Sequence, residues 1–195
     1  MSKATSCKEA IKRWEAATGQ NPAEATEVKL ICLLPPMDKM DESLSVFEKV
    51  EKLSLSTNNI ERIQFLKFKS LRILSLGRNN IKRIQGLEEV SATLEELWIS
   101  YNLIDKLEGL SSLAKLCTLY ISNNKIRNWD EVSKLAQLPE LKNILLVGNP
   151  VYGDRSLENY KEMNAPHVVK RIPQIENIDG KMVSAVTRAA AEGMD

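Results

Sequence analysis

Apolar residues in the middle of the chain recur in one fixed frame. The frame is clearest in Leu94-Glu-Glu-Leu-Trp-Ile-Ser-Tyr-Asn102, continued by Leu103-Ile104-Asp105-Lys106-Leu107. It reads L-x-x-L-x-L-x-x-N-x-I-x-x-L, with one Ile for Leu. The same frame fits Val50/Leu53/Leu55/Asn58/Ile60/Ile63, Leu71/Leu74/Leu76/Asn79/Ile81/Ile84 and Leu116/Leu119/Ile121/Asn124/Ile126/Trp129, and a shorter match covers Leu141/Ile144/Leu146/Asn149/Val151. The starts at 50, 71, 94, 116 and 141 lie 21, 23, 22 and 25 residues apart, and each unit holds an asparagine eight residues after its first apolar position. Within a unit, alternation with period two predicts a short strand. The asparagine then predicts a turn, and the wider spacing that follows predicts a loosely helical return.

This is the leucine-rich-repeat signature, and units of this kind stack into a solenoid with one continuous core. The expected fold class is α/β, with a parallel sheet on one face, short helices or 3-10 turns on the other, and helical caps at both ends. Residues 1–27 are expected to form the N-terminal cap, 28–150 the repeats, 151–180 the C-terminal cap and 181–195 a tail. Ser6-Cys7-Lys8-Glu9 is a capping-box pattern that opens an amphipathic helix through Ile11 and Trp14 to Gly19, and Asn21-Pro22-Ala23-Glu24 opens a second short one. Ile11 and Trp14 are expected to cover the edge of the first repeat. Val28 to Leu33 reads as a degenerate first strand, with Leu30 where Leu55 stands later. Pro35-Pro36 stands at the place of the turn, and Met37, Met40, Leu44 and Phe47 form the return. In the fourth regular unit, Asp130 as N-cap with Val132, Leu135 and Leu138 predicts a proper helix on the convex side. His167 to Arg171 reads as a short helical turn, Ile172 to Gly180 as an apolar closure, and Val183 to Glu192 as a segment that projects or stays mobile.

Strand alternation assigns a job to each repeated position. Leu53/Leu55, Leu74/Leu76, Leu97/Ile99, Leu119/Ile121 and Ile144/Leu146 point into the core. The side-chain amides of Asn58, Asn79, Asn102, Asn124 and Asn149 are expected to satisfy backbone groups of neighbouring turns. The remaining strand residues form the outer face in three rows: Lys52, Ile73, Glu96, Thr118, Asn143; Ser54, Ser75, Trp98, Tyr120, Leu145; and Ser56, Gly77, Ser100, Ser122, Val147. Trp98, Tyr120, Leu145 and Val147 fall side by side, with Tyr101 at the edge of the turn and Ile73 in the first row. Contiguous exposed apolar and aromatic groups mark protein interfaces, so these six are the candidate protein-binding residues, unless the C-terminal segment folds back over them. Arg62, Arg83 and Lys106 occupy equivalent sites after their turns. They read either as a solvated rim or as contacts for an acidic partner.

Composition narrows the function further. The 27 Lys and Arg residues nearly balance 26 Asp and Glu, so the net field offers no reason to expect nucleic acid or an anionic membrane as partner. Three widely spaced cysteines, Cys7, Cys32 and Cys117, and the lack of a signal-like apolar start lead to the expectation of a reducing cytosol. The single histidine, His167, has no partners in sequence for catalysis, and there is no phosphate loop, paired Cys/His spacing or nucleophile elbow. A non-enzyme without cofactor or metal, monomeric when free, is expected.

The stretches Leu53-Ser-Leu-Ser-Thr-Asn-Asn-Ile60, Leu71-Arg-Ile-Leu-Ser-Leu-Gly-Arg-Asn79, Leu94 to Asn102 and Gly148-Asn149-Pro150 resemble the leucine-rich-repeat light chains of axonemal outer-arm dynein. So do Met1-Ser-Lys-Ala-Thr5 and Pro35 to Met40, which extends the likeness over essentially the whole chain. The resemblance implies a non-catalytic subunit of cilia or flagella that binds a dynein heavy-chain motor unit near its microtubule-binding region, with tubulin as a further implied contact. The alternative is a repeat adaptor of a nuclear ribonucleoprotein or a phosphatase regulator, classes that share the 22-residue repeat.

Overall fold

The computed structural model of the chain describes residues 3–194. The degenerate first unit and the five that follow each contribute one three-residue strand: β1 (Glu27–Lys29), β2 (Lys52–Ser54), β3 (Ile73–Ser75), β4 (Glu96–Trp98), β5 (Thr118–Tyr120) and β6 (Asn143–Leu145). All six are parallel and follow one another in chain order. The register sets Val28, Leu53, Leu74, Leu97, Leu119 and Ile144 in one line, so identical positions of successive units stack and the alternate side chains meet in the interior. A single cluster of buried apolar residues runs from Cys7 to Ala191.

Helix α1 (Cys7–Thr18) starts where Ser6 accepts a hydrogen bond from the Glu9 N–H and stops at Gly19, whose φ of 69° is left-handed. Its buried face, Cys7, Ala10, Ile11 and Trp14, closes the N-terminal end of the core. Trp14 meets Phe47 edge-on at 5.4 Å. Asn21 caps the short 3-10 turn Pro22–Glu24 by accepting from the Ala23 N–H. Because Val28 pairs with Leu53, Leu30 falls opposite Leu55, and Met37, Met40, Leu44 and Phe47 are fully buried. Burial pushes the Cys7 thiol up to about 11, which leaves it an inert packing group.

The convex side is built mostly of irregular chain and 3-10 turns, Glu42–Val46 and Glu88–Val90 among them. The fourth return does form an α-helix, α2 (Trp129–Ser133), which runs on as a 3-10 turn over Lys134–Gln137. Its N-cap is Asn128, and not Asp130 as the sequence suggests: Asn128 accepts from the Glu131 N–H at 3.1 Å. Asp130 sits instead in the first turn, where the helix dipole favours a carboxylate.

The C-terminal cap departs further from expectation. In place of a short turn from His167, a twelve-residue helix α3 (Tyr160–Arg171) runs through Pro166. An interior proline removes one hydrogen bond. That loss is offset by the buried Val168 and Val169 and by Asn164, whose amide donates to the carbonyls of Tyr152 (2.9 Å) and Tyr160 (2.5 Å). Ile172, Ile175 and Ile178 close the core, and β7 (Asn177–Ile178) adds in parallel to β6. The chain then reverses through Asp179-Gly180, both at positive φ (52° and 84°), into the antiparallel β8 (Lys181–Met182). Asp179 continues the ladder just beyond β6: Oδ1 accepts from the N–H groups of Leu146 (2.7 Å) and Val147 (2.8 Å), and Oδ2 accepts from the Tyr152 hydroxyl (2.6 Å). Burial, with Asp179 beside it, raises the Tyr152 pKa far above the usual range, so the phenol keeps the proton it donates. The segment expected to project is helix α4 (Ala185–Glu192), and it is docked. It packs on α3, buries Ala191, and Arg188 donates to the carbonyls of Pro173 and Ile175. Among the described residues no helix is long and apolar enough to cross a membrane.

Candidate functional site

The outer sheet face is held in place by its turns. Asn79, Asn102, Asn124 and Asn149 each donate through Nδ2 to one carbonyl of their own unit and one of the preceding unit, at 2.8–3.1 Å, and Asn58 does the same toward Leu30 and Leu55. Each Oδ1 accepts a backbone N–H from the preceding unit's return: Met37, Ile60, Ile81, Ile104 and Ile126. All five asparagines are buried, so each satisfies groups that would otherwise be stranded. The residue before each is left-handed: Thr57, Arg78, Tyr101, Asn123 and Gly148. Tyr101 lies in this turn, and the Arg78 guanidinium lies over its ring at 4.4 Å.

Between these turns the face divides in two. Toward the N-terminus it is lined with small hydroxyls that bond one another: Ser56 to Ser75 at 2.7 Å and Ser54 to Ser56 at 3.3 Å. From β4 onward the middle row turns apolar, while Glu96, Thr118 and Asn143 hold the first row and Ser100 and Ser122, bonded to each other at 3.0 Å, the third. Trp98, Tyr120 and Leu145 are neighbours in register, and the Trp98 and Tyr120 rings stack with centroids 5.8 Å apart and planes 24° from parallel. Trp98 is 38% exposed, whereas Tyr120 and Leu145 are half-buried. Because α4 lies against α3, the C-terminal segment leaves Trp98 open.

The other candidate residues sit at varied distances from this pair. Val147 is half-buried against the core, its N–H taken by Asp179. Ile73 is opposite Glu96 in the first row and, with Lys52, Ser54, Ser75 and Trp98, lines a shallow cleft of about 300 Å³. Tyr101 stands apart at the turn, 48% exposed. Sequence reasoning passed over Glu96, whose carboxylate accepts the Trp98 indole N–H at 2.9 Å. The available signal was its position two residues before Trp98, on the same side of the strand. It also passed over Arg78, for which the left-handed turn gave no warning.

Arg62, Arg83 and Lys106 are all exposed, and among the described residues none of them forms an ion pair. Arg83 and Lys106 share an open groove with Lys82, Leu103, Asp105 and Glu108; Arg62 lies outside it. His167 is a packing residue: its ring stacks on Trp129 at 5.2 Å, and the Arg171 guanidinium lies 4.9 Å from the same indole. Burial, then the charges of Arg171 and Lys170, lower its pKa. Among the described residues no group of His, Cys, Asp and Glu is arranged to hold a metal ion.

Solved structures with the same architecture include a chain of the Drosophila melanogaster SNF/U2A' complex (TM-score 0.60, 22% identity, 80% of this chain and 91% of that one). Another is internalin C2 of Listeria monocytogenes (TM-score 0.55, 24% identity, 73% of this chain and 58% of that one). At such identities the likeness is one of fold, and it defines the class: a leucine-rich-repeat protein with an open, ungated sheet face. No protein-family profile matches the chain. Whole-chain relatives do: dynein axonemal light chain 1 of Homo sapiens is 54% identical over 184 residues, 94% of this chain and 95% of the relative. That of Chlamydomonas reinhardtii is 48% identical over 197 residues, 98% of this chain and 97% of the relative. The chain belongs to the dynein axonemal light chain 1 family.

Proposed function

We propose that the chain is a non-catalytic, protein-binding light chain of axonemal outer-arm dynein. In this reading it resides in the axoneme of a cilium or flagellum, docks on a heavy-chain motor unit near its microtubule-binding region, and regulates motility. The observation that carries the proposal is the exposed Trp98 stacked on the half-buried Tyr120, with Leu145 beside them, on the outer sheet face. An aromatic anchor of this kind supplies binding energy when a partner buries it. A tagged chain is expected in the axoneme, and its purification from detergent-extracted cilia is expected to recover an outer-arm heavy chain. A Trp98/Tyr120/Leu145 triple alanine variant is expected to lose that recovery. Nuclear localisation would favour a ribonucleoprotein adaptor instead.

A second contact, with the acidic surface of tubulin, is supported by the exposed Arg83 and Lys106 in their shared groove. It calls for microtubule association that falls steeply with salt, since exposed charges are screened within about 8–10 Å. Changing Arg62, Arg83 and Lys106 to Gln is expected to lower both the association and its salt dependence. An unchanged salt profile would return all three to the solvated rim.

A further inference from the structure

Trp98 stands between two different surroundings. On the β5 side it has the ring of Tyr120, and on the β3 side it borders the shallow cleft formed with Ile73, Ser54 and Ser75. A large side chain with open space on one flank has a second rotamer available, and a partner that needs the stacked form must first select it. Glu96 resolves this choice. It is two residues before Trp98 on the same face, and its Oε2 accepts the indole N–H at 2.9 Å. Arg72, on which the Glu96 charge acts, is engaged elsewhere in a two-point bond with Glu95 at 2.8 and 3.0 Å, and among the described residues Glu96 forms no ion pair. The Glu96 carboxylate is thereby left to the indole.

We infer that Glu96 is a positioning residue of the docking face, holding the Trp98 indole over Tyr120 and out of the neighbouring cleft so that the stacked pair meets its partner preformed. This rests on the docking role given to Trp98 above. It differs from a surface hydrogen bond without consequence in one respect: the orientation of Trp98 in the free protein depends on it.

The test uses the full chain and the purified heavy-chain motor fragment as probe. In the free protein, the Trp98 indole N–H resonance is assigned with a Trp98→Phe variant, and ring contacts between Trp98 and Tyr120 are measured by nuclear Overhauser effects. Glu96→Ala is expected to shift that resonance, speed its exchange with water and weaken the Trp98–Tyr120 contacts. Affinity for the fragment is expected to drop about three- to tenfold, the range for loss of one partly exposed hydrogen bond. Glu96→Gln keeps an acceptor oxygen and is expected to restore both readouts, with thermal melts alike for all three proteins. An indole resonance and ring contacts unmoved by Glu96→Ala would overturn the inference, as would a Glu96→Gln variant as impaired as the alanine. Unchanged affinity on Trp98→Ala is a separate outcome that overturns the docking face itself, whatever Glu96 does to the indole.

Discussion

The two halves of the outer sheet face share a backbone and differ in chemistry. Lys52 to Ser54 and Ile73 to Ser75 pair in the same register as Glu96 to Trp98 and Thr118 to Tyr120, and the inward Leu53, Leu74, Leu97 and Leu119 are equally buried. In the first half the middle row of outward positions is Ser54 and Ser75, both bonded to Ser56. In the second it is an indole, a phenol ring and an aliphatic side chain packed side by side. Under the proposed docking role, stability and recognition are written on alternate residues of one strand, and a change of function needs no change of fold. A solenoid permits this because each unit contacts only its neighbours.

If the scaffold is the same in both halves, the turn asparagines should matter equally in each. Asn79→Ala and Asn102→Ala remove matching sets of bonds: each leaves one buried backbone N–H, that of Ile60 or Ile81, without its acceptor, and takes one of two asparagine donors from each of two carbonyls that the neighbouring asparagines still serve. Each is expected to cost about 1–3 kcal/mol, read by urea or thermal melts. A difference between them of more than about 1 kcal/mol, comparable to a single buried bond, would break the equivalence.

A smaller effect separates the halves at the left-handed position. Thr57 takes φ 58° with a β-branched side chain, and Tyr101 holds the same place in the second half at φ 58°, whereas the last two units there have Asn123 and Gly148, residues that tolerate it. Thr57→Asn is expected to raise stability by about 0.5–1 kcal/mol, and Asn123→Thr to lower it by a similar amount. No change in either would mean that the ladder absorbs the conformation without strain.

The smallest effect concerns the end cap behind the apolar half. The pKa of His167 is lowered in the fold, first by burial and then by Arg171 and Lys170, so the unfolded chain takes up this proton first as pH falls. The stability linked to the neutral ring is full above about pH 6.5 and declines as pH drops toward the folded value. Urea melts from pH 8 to pH 5 are expected to show wild type losing stability that a His167→Gln variant does not lose. Parallel pH profiles would remove His167 from that dependence.

Legibility in the sequence followed the same division. The repeats were readable because a buried line of Leu and Ile repeats at a fixed interval, and the outward row of Trp98, Tyr120 and Leu145 follows from alternation alone. The C-terminal cap was less readable, since it has no period. Pro166 masked the first turn of α3, and α4 is rich in alanine, docking through Ala191 and the Arg188 guanidinium where a large apolar stripe would have been legible. Asn128 and Asp130 are both good cap residues, and only the path of the chain leaving Arg127 selects the first. The contact between Arg78 and Tyr101 went unread, although both hold the left-handed position before the asparagine in adjacent units. Glu96 escaped notice because a carboxylate in an outward row reads as solvated until its partner is seen.

The most direct test is a titration of the heavy-chain motor fragment against wild type, the Trp98/Tyr120/Leu145 triple alanine variant and a Ser54/Ser75 double alanine variant, with melts in parallel. The triple variant is expected to lose at least about 2–4 kcal/mol of affinity, the usual worth of one central aromatic anchor, while keeping its melting temperature. The double variant is expected to bind like wild type. Equal affinity for all three proteins would contradict the account and move the contact off this face.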